Sequence, residues 1–275
     1  MPPVFQCSPR ASYQAHRAAI DAAAARVFSS ESYILGPETE AFEKEFAHYV
    51  GVGHAVGVAN GTDALELALR VLGVGPGDGV LTVAHTALPT VAAIVSTGAT
   101  PVLVDIDADS CTLSPAALSR VLAGWKPGPG RPVLKALLCV HLYGRPADLD
   151  ALLALARDHG LQVVEDCAQA HGATWGERRV GSFGAVSAFS FYPTKNLGAI
   201  GDGGAVLTSD PCLAVRLRQL RQAAGRPLLR RLRPADQDTP TLGAPVAALI
   251  PSLVVLALMG LILRYMRARN WIVKV

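Results

Sequence analysis

Charge is the first thing this chain lacks. Only 17% of its 275 residues are Asp, Glu, Lys or Arg, while 51% are hydrophobic. That balance is apolar for a soluble enzyme. The charge present is unevenly placed. Residues 226–275 hold 8 Lys+Arg against 2 Asp, so the net +3 of the whole chain becomes −3 over residues 1–225. A mildly acidic body has no basic footprint for a phosphate backbone, which argues against nucleic acid as a partner. Lysine is scarcer still. Between Lys135 and Lys274 there is one, Lys195.

Other absences narrow the field further. The five cysteines are odd in number and form no CxxC pair. This argues against a disulfide framework or a zinc site and for buried or incidental thiols in a reducing compartment. The opening Met-Pro-Pro-Val-Phe-Gln-Cys has neither a charged region nor an apolar run, so no secretory signal is expected and the cytoplasm is the expected location. Internal repeats are absent. No G-x-G-x-x-G or G-x-x-x-x-G-K-[ST] occurs, so neither a dinucleotide nor an ATP site is indicated.

What is present is an alternation of short apolar runs and amphipathic stretches, in a chain long enough for one large α/β domain or two smaller ones. An alanine-rich helical pattern covers 11–28, a loop follows at 32–38, and a second helix runs from Glu38 to Tyr49. Strands are predicted at 55–59, 80–84, 101–105, 136–142, 162–165, 185–191 and 205–208, with helices at 62–72, 89–96, 115–123, 148–159 and 213–222. Seven strands alternating with helices predict an α/β fold, a mostly parallel sheet covered on both faces.

Four stretches at strand ends carry candidate chemistry. Ala185 to Phe191 is an apolar strand stopped by Pro193, with Lys195 just beyond and a glycine-rich turn after it. A lysine there, with little charge around it, is placed to lose solvation and act as a nucleophile, although an ordinary exposed loop lysine has the same local look. Asn60-Gly-Thr-Asp-Ala-Leu marks a strand-to-helix handover, where unpaired N–H groups favour an anion. Gly61 allows close approach and Thr62 adds a hydroxyl; the plainer reading is a Thr or Asp helix cap. Asp166 closes a buried strand at the ligand-binding edge of an open sheet, or else caps a following helix. Its neighbour Glu165 reads as structural. His85 ends another strand at the same edge, while His141 and His171 carry no clear role.

Ser190-Phe-Tyr-Pro-Thr-Lys-Asn-Leu-Gly with Gly201-Asp-Gly-Gly, together with Gly61-Thr-Asp-Ala and Glu165-Asp-Cys-Ala-Gln, resembles the DegT/DnrJ/EryC1/StrS family of sugar aminotransferases over roughly residues 30–225. The resemblance implies a fold-type I large domain using pyridoxal 5'-phosphate, with Lys195 as the lysine that binds it covalently. By the same resemblance Gly61, Thr62 and Ser190 hold the phosphate and Asp166 faces the pyridine nitrogen. Gln169 touches the ring hydroxyl, Ala168 packs on one ring face and His85 lies near the other. Lys195 and Asp166 are the catalytic pair. The implied reaction moves an amino group, from glutamate, onto a nucleotide-linked keto-sugar in a homodimer. His141-Leu-Tyr-Gly-Arg-Pro-Ala-Asp resembles the 3-keto-sugar branch, and a Gly-Pro loop such as Gly36-Pro37 lies near the substrate entrance.

Residues 1–225 are therefore expected to form the cofactor-binding domain and 226–275 a tail of atypical composition. The resembled family continues with a small C-terminal domain, and nothing in the tail looks like it. Thr239 to Leu263 carries no charge, but Pro240, Pro245 and Pro251 interrupt its first half. Three readings of the stretch around 242–263 stay open: a truncated or fused product, a membrane anchor, or a core helix. A chain with this tail is expected to bind cofactor weakly, and a non-catalytic, partner-binding or membrane-attached homologue is the alternative.

Overall fold

The computed structural model describes residues 7–223 apart from Pro127 and Pro129. The tail, with its 242–263 stretch, lies outside the described residues. Among those described, no helix is long and apolar enough to cross a membrane.

All seven expected strands form one sheet: β1 (His54–Val58), β2 (Asp78–Val83), β3 (Thr100–Val104), β4 (Val133–Val140), β5 (Gln162–Asp166), then Val186–Ser190 and Gly204–Thr208. The last two are β8 and β9, because a hairpin that the sequence reading missed, β6 (Thr174–Trp175) with β7 (Arg178–Arg179), precedes them. Two-residue strands are too short to show a period, which is why they escaped notice. The sheet order is β1-β9-β8-β5-β4-β2-β3. The pairings β8–β5, β5–β4, β4–β2 and β2–β3 are parallel, and only β9 runs against its neighbours. The carboxyl ends of β2, β4, β5 and β8 consequently share one edge.

Helices cover both faces. The 11–28 pattern is two helices, α1 (Pro9–Ala15) and α2 (Arg17–Ser29), because His16 leaves helical geometry at φ −119°, ψ 17°. α3 (Pro37–Val50) and α4 (Gly61–Val71) follow, then α5 (Leu88–Ser96), α6 (Pro115–Gly124), α7 (Leu149–Asp158) and α8 (Pro211–Ala223). Alternation along the central strands explains the layering. Val186, Ala188 and Val206 point into the larger core with Leu65 and Leu69 of α4. Phe189, Ala205 and Leu207 point the other way, onto Phe46 and Val50 of α3. Period 2 sends successive side chains to opposite faces, and both faces here are apolar.

α8 is tied to this frame electrostatically. Glu43 of α3 is buried and accepts from the Gly57 N–H at 2.8 Å and from Arg221 Nη1 at 2.6 Å. Arg218 Nη2 reaches its second oxygen at 3.4 Å. A buried carboxylate needs such partners, and these join α3, β1 and α8.

Candidate active site

The first corner of the edge is the N-terminus of α4. Asn60 caps it: its side-chain oxygen accepts from the Asp63 N–H at 2.8 Å and its carbonyl from the Ala64 N–H at 3.1 Å. The expected alternative, a Thr or Asp cap, does not hold, so the Thr62 hydroxyl is not spent on capping. Helix geometry leaves the Gly61 and Thr62 N–H groups without intrahelical partners. Ser190, buried at the end of β8, faces them. A Cβ added at Gly61 would lie 2.6 Å from Ser190 Cβ and 3.0 Å from its Oγ. Only glycine lets α4 and β8 meet this closely.

Beyond Ser190 the chain leaves the sheet and returns at β9. The neck of this excursion is pinned by the Phe191 N–H donating to Gly203 O at 2.8 Å and the Ala199 N–H to Phe191 O at 2.7 Å. Lys195 sits half-buried within it, its N–H donating to Tyr192 O at 2.8 Å. Its positive charge is felt at both Asp166 and His171. The same turn, with Gly36, Pro37 and Asp63, lines a cleft of about 1980 Å³.

Asp166 ends β5 and is buried. Burial raises its carboxyl above the ordinary range, against the Ala168 N–H, the Thr90 hydroxyl and the charges of His141 and Lys195, which all favour the anion. Oδ1 accepts from Ala168 at 3.1 Å and Oδ2 from Thr90 at 2.9 Å. No helix follows β5, so Asp166 is not a helix cap. Glu165, on the opposite face, accepts from the N–H groups of Gly181, Phe183 and Gly184 at 2.7, 2.8 and 2.7 Å and from His141 Nε2 at 3.2 Å. It is structural, as expected. His141, Glu165 and Cys167 have donor atoms within 4.8 Å of one another, but the carboxylate's lone pairs are already occupied by these four donors.

The last corner is Leu142–Gly144, a single 3₁₀ turn after β4. Tyr143 holds a left-handed φ of 58°, and its N–H donates to Gln169 Oε1 at 2.8 Å. A backbone donor identifies that atom as the amide oxygen, so the side chain's remaining donor is its NH2 group. The His85 ring meets Tyr143 edge-on, with centroids 6.0 Å apart. His85 is exposed at this edge. His171 packs against Phe189 and Phe191 at 5.4 and 5.6 Å. Burial, with the Lys195 charge second, lowers its pKa to about 4, so the ring is neutral near pH 7.

The edge therefore gathers Gly61, Thr62, His85, Asp166, Ala168, Gln169, Ser190 and Lys195, the residues that the resemblance assigned to the cofactor. Thr90, bonded to Asp166, was not among them. It lies inside an apolar helix, 76 residues away, and no local pattern marks it.

The family model "DegT/DnrJ/EryC1/StrS aminotransferase family" matches residues 14–232. The chain belongs to that family. The match takes in α2, beyond the stretch from 30 onward that carried the resemblance. The family is one of pyridoxal phosphate-dependent aminotransferases. The dTDP-3-amino-3,4,6-trideoxy-alpha-D-glucose transaminase of Streptomyces venezuelae is 54% identical over 79% of this chain and 55% of its own length. The UDP-N-acetyl-3-dehydro-alpha-D-glucosamine 3-aminotransferase of Acidithiobacillus ferrooxidans is 47% identical over 71% of this chain and 51% of its own. The crystal structure of S. venezuelae DesV in complex with a ketimine intermediate superposes with a TM-score of 0.76 at 50% identity. It covers 87% of this chain and 61% of that one. The fold is thus fold-type I, and the chain spans about half the length of the curated relatives it matches.

Proposed function

We propose that residues 1–225 are the cofactor-binding domain of an aminotransferase that moves an amino group onto a nucleotide-linked keto-sugar. The observation that carries this reading is the convergence of an anion cradle, a lysine and a buried carboxylate at one sheet edge. The residues fit pyridoxal phosphate. Gly61 and Thr62 offer two free N–H groups against Ser190, a seat for a phosphate. Asp166 is buried with no cation in contact among the described residues, and a protonated pyridine nitrogen would offset that burial. Gln169 presents NH2 donors to a phenolic oxygen. Ala168 and His85 would flank the ring, and Lys195 would anchor it.

The cofactor, when bound, supplies an electron sink for the bond between the reacting carbon and its hydrogen. The chain's own groups do the rest. Asp166 stays ionised to hold positive charge at the ring nitrogen. Lys195 Nζ would hold the cofactor and, when free, would serve as the base that moves a proton at the reacting carbon. His171 stays neutral beside it and does not compete for that proton. The cleft that Gly36 and Pro37 line shares Leu197, Gly198, Ala199 and Ile200 of the turn that bears Lys195, but none of the residues assigned to the cofactor lines it. The names of the two relatives both specify nitrogen at the sugar's third carbon, which supports a 3-keto substrate here. Glutamate as donor and a homodimer complete the reading by family analogy.

The test is covalent trapping. The 275-residue chain, given pyridoxal phosphate and then borohydride, should carry the reduced label on Lys195, as read by peptide mass. Lys195→Ala should abolish both the label and the visible absorption band. A label retained by the variant would move the anchor elsewhere. A wild-type chain that never takes the label would favour the non-catalytic homologue.

A further inference from the structure

Thr86, Thr90 and Asp166 form a hydroxyl chain whose direction is determined by its last member. Thr86 Oγ1 lies 2.7 Å from Thr90 Oγ1, and Thr90 Oγ1 lies 2.9 Å from Asp166 Oδ2. An ionised carboxylate only accepts, so Thr90 must donate to it. A hydroxyl has one proton, so Thr90 can then only accept from Thr86. Both threonines stand where the chain passes from β2 into α5, and Thr90 is fully buried while Thr86 is half-buried. Hydroxyls aligned in this way polarise one another toward the charge they face.

We infer that Thr90, backed by Thr86, is a positioning residue that keeps Asp166 ionised and orients its carboxylate toward the cofactor's ring nitrogen. The inference rests on the reading of Asp166 given above. Three features make the arrangement specific. Asp166 has two side-chain oxygens and one protein donor on each, Ala168 N–H and Thr90 hydroxyl. The two bonds lock the carboxylate plane, leaving its other lone pairs for a ligand. The Thr90 hydroxyl is buried, and no other side-chain donor among the described residues reaches Asp166 Oδ2. Charged groups face Asp166 from two further elements, His141 after β4 and Lys195 after β8, and both also favour the anion. The hydroxyl chain is the contribution from the β2–α5 side.

The experiment follows the Asp166 carboxyl by carbon-13 NMR titration of the full chain without cofactor, its resonance identified by its loss in Asp166→Asn. Thr90→Val keeps the shape and removes the hydroxyl. It should raise the Asp166 midpoint by about one pH unit, the size of one hydrogen bond to a charged group. Thr90→Ser should leave it near wild type, and Thr86→Val should raise it by roughly a third as much. With pyridoxal phosphate added, the dissociation constant read from absorbance should rise about tenfold in Thr90→Val and recover in Thr90→Ser. An unshifted midpoint in Thr90→Val, while Asp166→Asn weakens cofactor binding, would overturn the hydroxyl chain alone. Wild-type cofactor affinity in Asp166→Asn would overturn the reading of Asp166, and with it any role of Thr90 toward the cofactor. If Thr90→Val does not fold, Thr86→Val decides: no upward shift there defeats the proposal.

Discussion

Glu165 and Asp166 are consecutive carboxylates on β5, both buried, and burial acts on them with opposite results. Both are pushed toward protonation by loss of water. At Glu165 that push is outweighed, first by the hydrogen bond and charge of His141 and then by the N–H groups of Gly184 and Gly181, so its carboxyl is held below the ordinary 4.5. At Asp166 burial prevails over two donors and two more distant charges, and the carboxyl is raised. The residues differ in where the alternation of a strand points them. Glu165 is wrapped by three N–H donors of one loop and by His141, whereas Asp166 faces the sheet edge where we propose the cofactor sits. A fully partnered buried carboxylate is architecture. One left with open lone pairs at a ligand edge is a site.

The comparison can be broken most forcefully at Glu165. Glu165→Leu strands three backbone N–H groups and one histidine inside the protein. We expect a loss of about 3–5 kcal/mol in urea unfolding, or failure to fold. A loss under 1 kcal/mol would show that the loop finds other acceptors.

Acid titration sharpens the contrast once His171 is accounted for. Its folded pKa of about 4 lies below the ordinary 6.5. It therefore contributes stability that is present above pH 6.5 and is lost as pH falls from 6.5 toward 4. Allowing for the part of the ring that water reaches, this loss is roughly 2 kcal/mol. His171→Phe should flatten that segment of a Tm-against-pH curve. What remains is the Glu165 contribution, which is present above pH 4.5 and is lost below it because that pKa is depressed. An unchanged slope between pH 6.5 and 4 in the variant would assign it to another group.

The smallest change in stability belongs to Asp166. Because its folded pKa is raised, chiefly by burial, the charged form is the less favoured one in the fold, and stability falls as pH climbs through the ordinary 3.8 and beyond. Asp166→Asn removes that penalty while keeping an acceptor for Ala168. The cofactor-free chain should be as stable as wild type or slightly more so, within about 1 kcal/mol. Cofactor affinity should fall at the same time. Opposite signs in the two assays separate a site residue from a structural one; a large loss of stability would place Asp166 with Glu165.

Much of this was legible in the chain itself. Apolar runs of four to seven residues between turns marked all seven sheet strands to within a few residues, because strands covered on both faces carry few polar positions. Pro193 after β8 and Gly61 at the start of α4 marked the strand end and the helix start. The family resemblance singled out Asp166 beside a structural Glu165, and Lys195 stood out through scarcity.

Other features exist only because the sheet assembles. His16 divides a stretch whose alanine content reads as one helix, and Asn60 rather than Thr62 or Asp63 caps α4. Tyr143 takes a left-handed φ next to Gln169, a contact across 26 residues, and Thr90 reaches Asp166 across 76. Local pattern records which face of an element is apolar and where the backbone must turn. It holds no record of which elements become neighbours. That was decided by the order β1-β9-β8-β5-β4-β2-β3, which brings the carboxyl ends of β2, β4, β5 and β8 to one edge. The partners of a buried charge come from other elements, because its own strand has spent its donors and acceptors on the sheet.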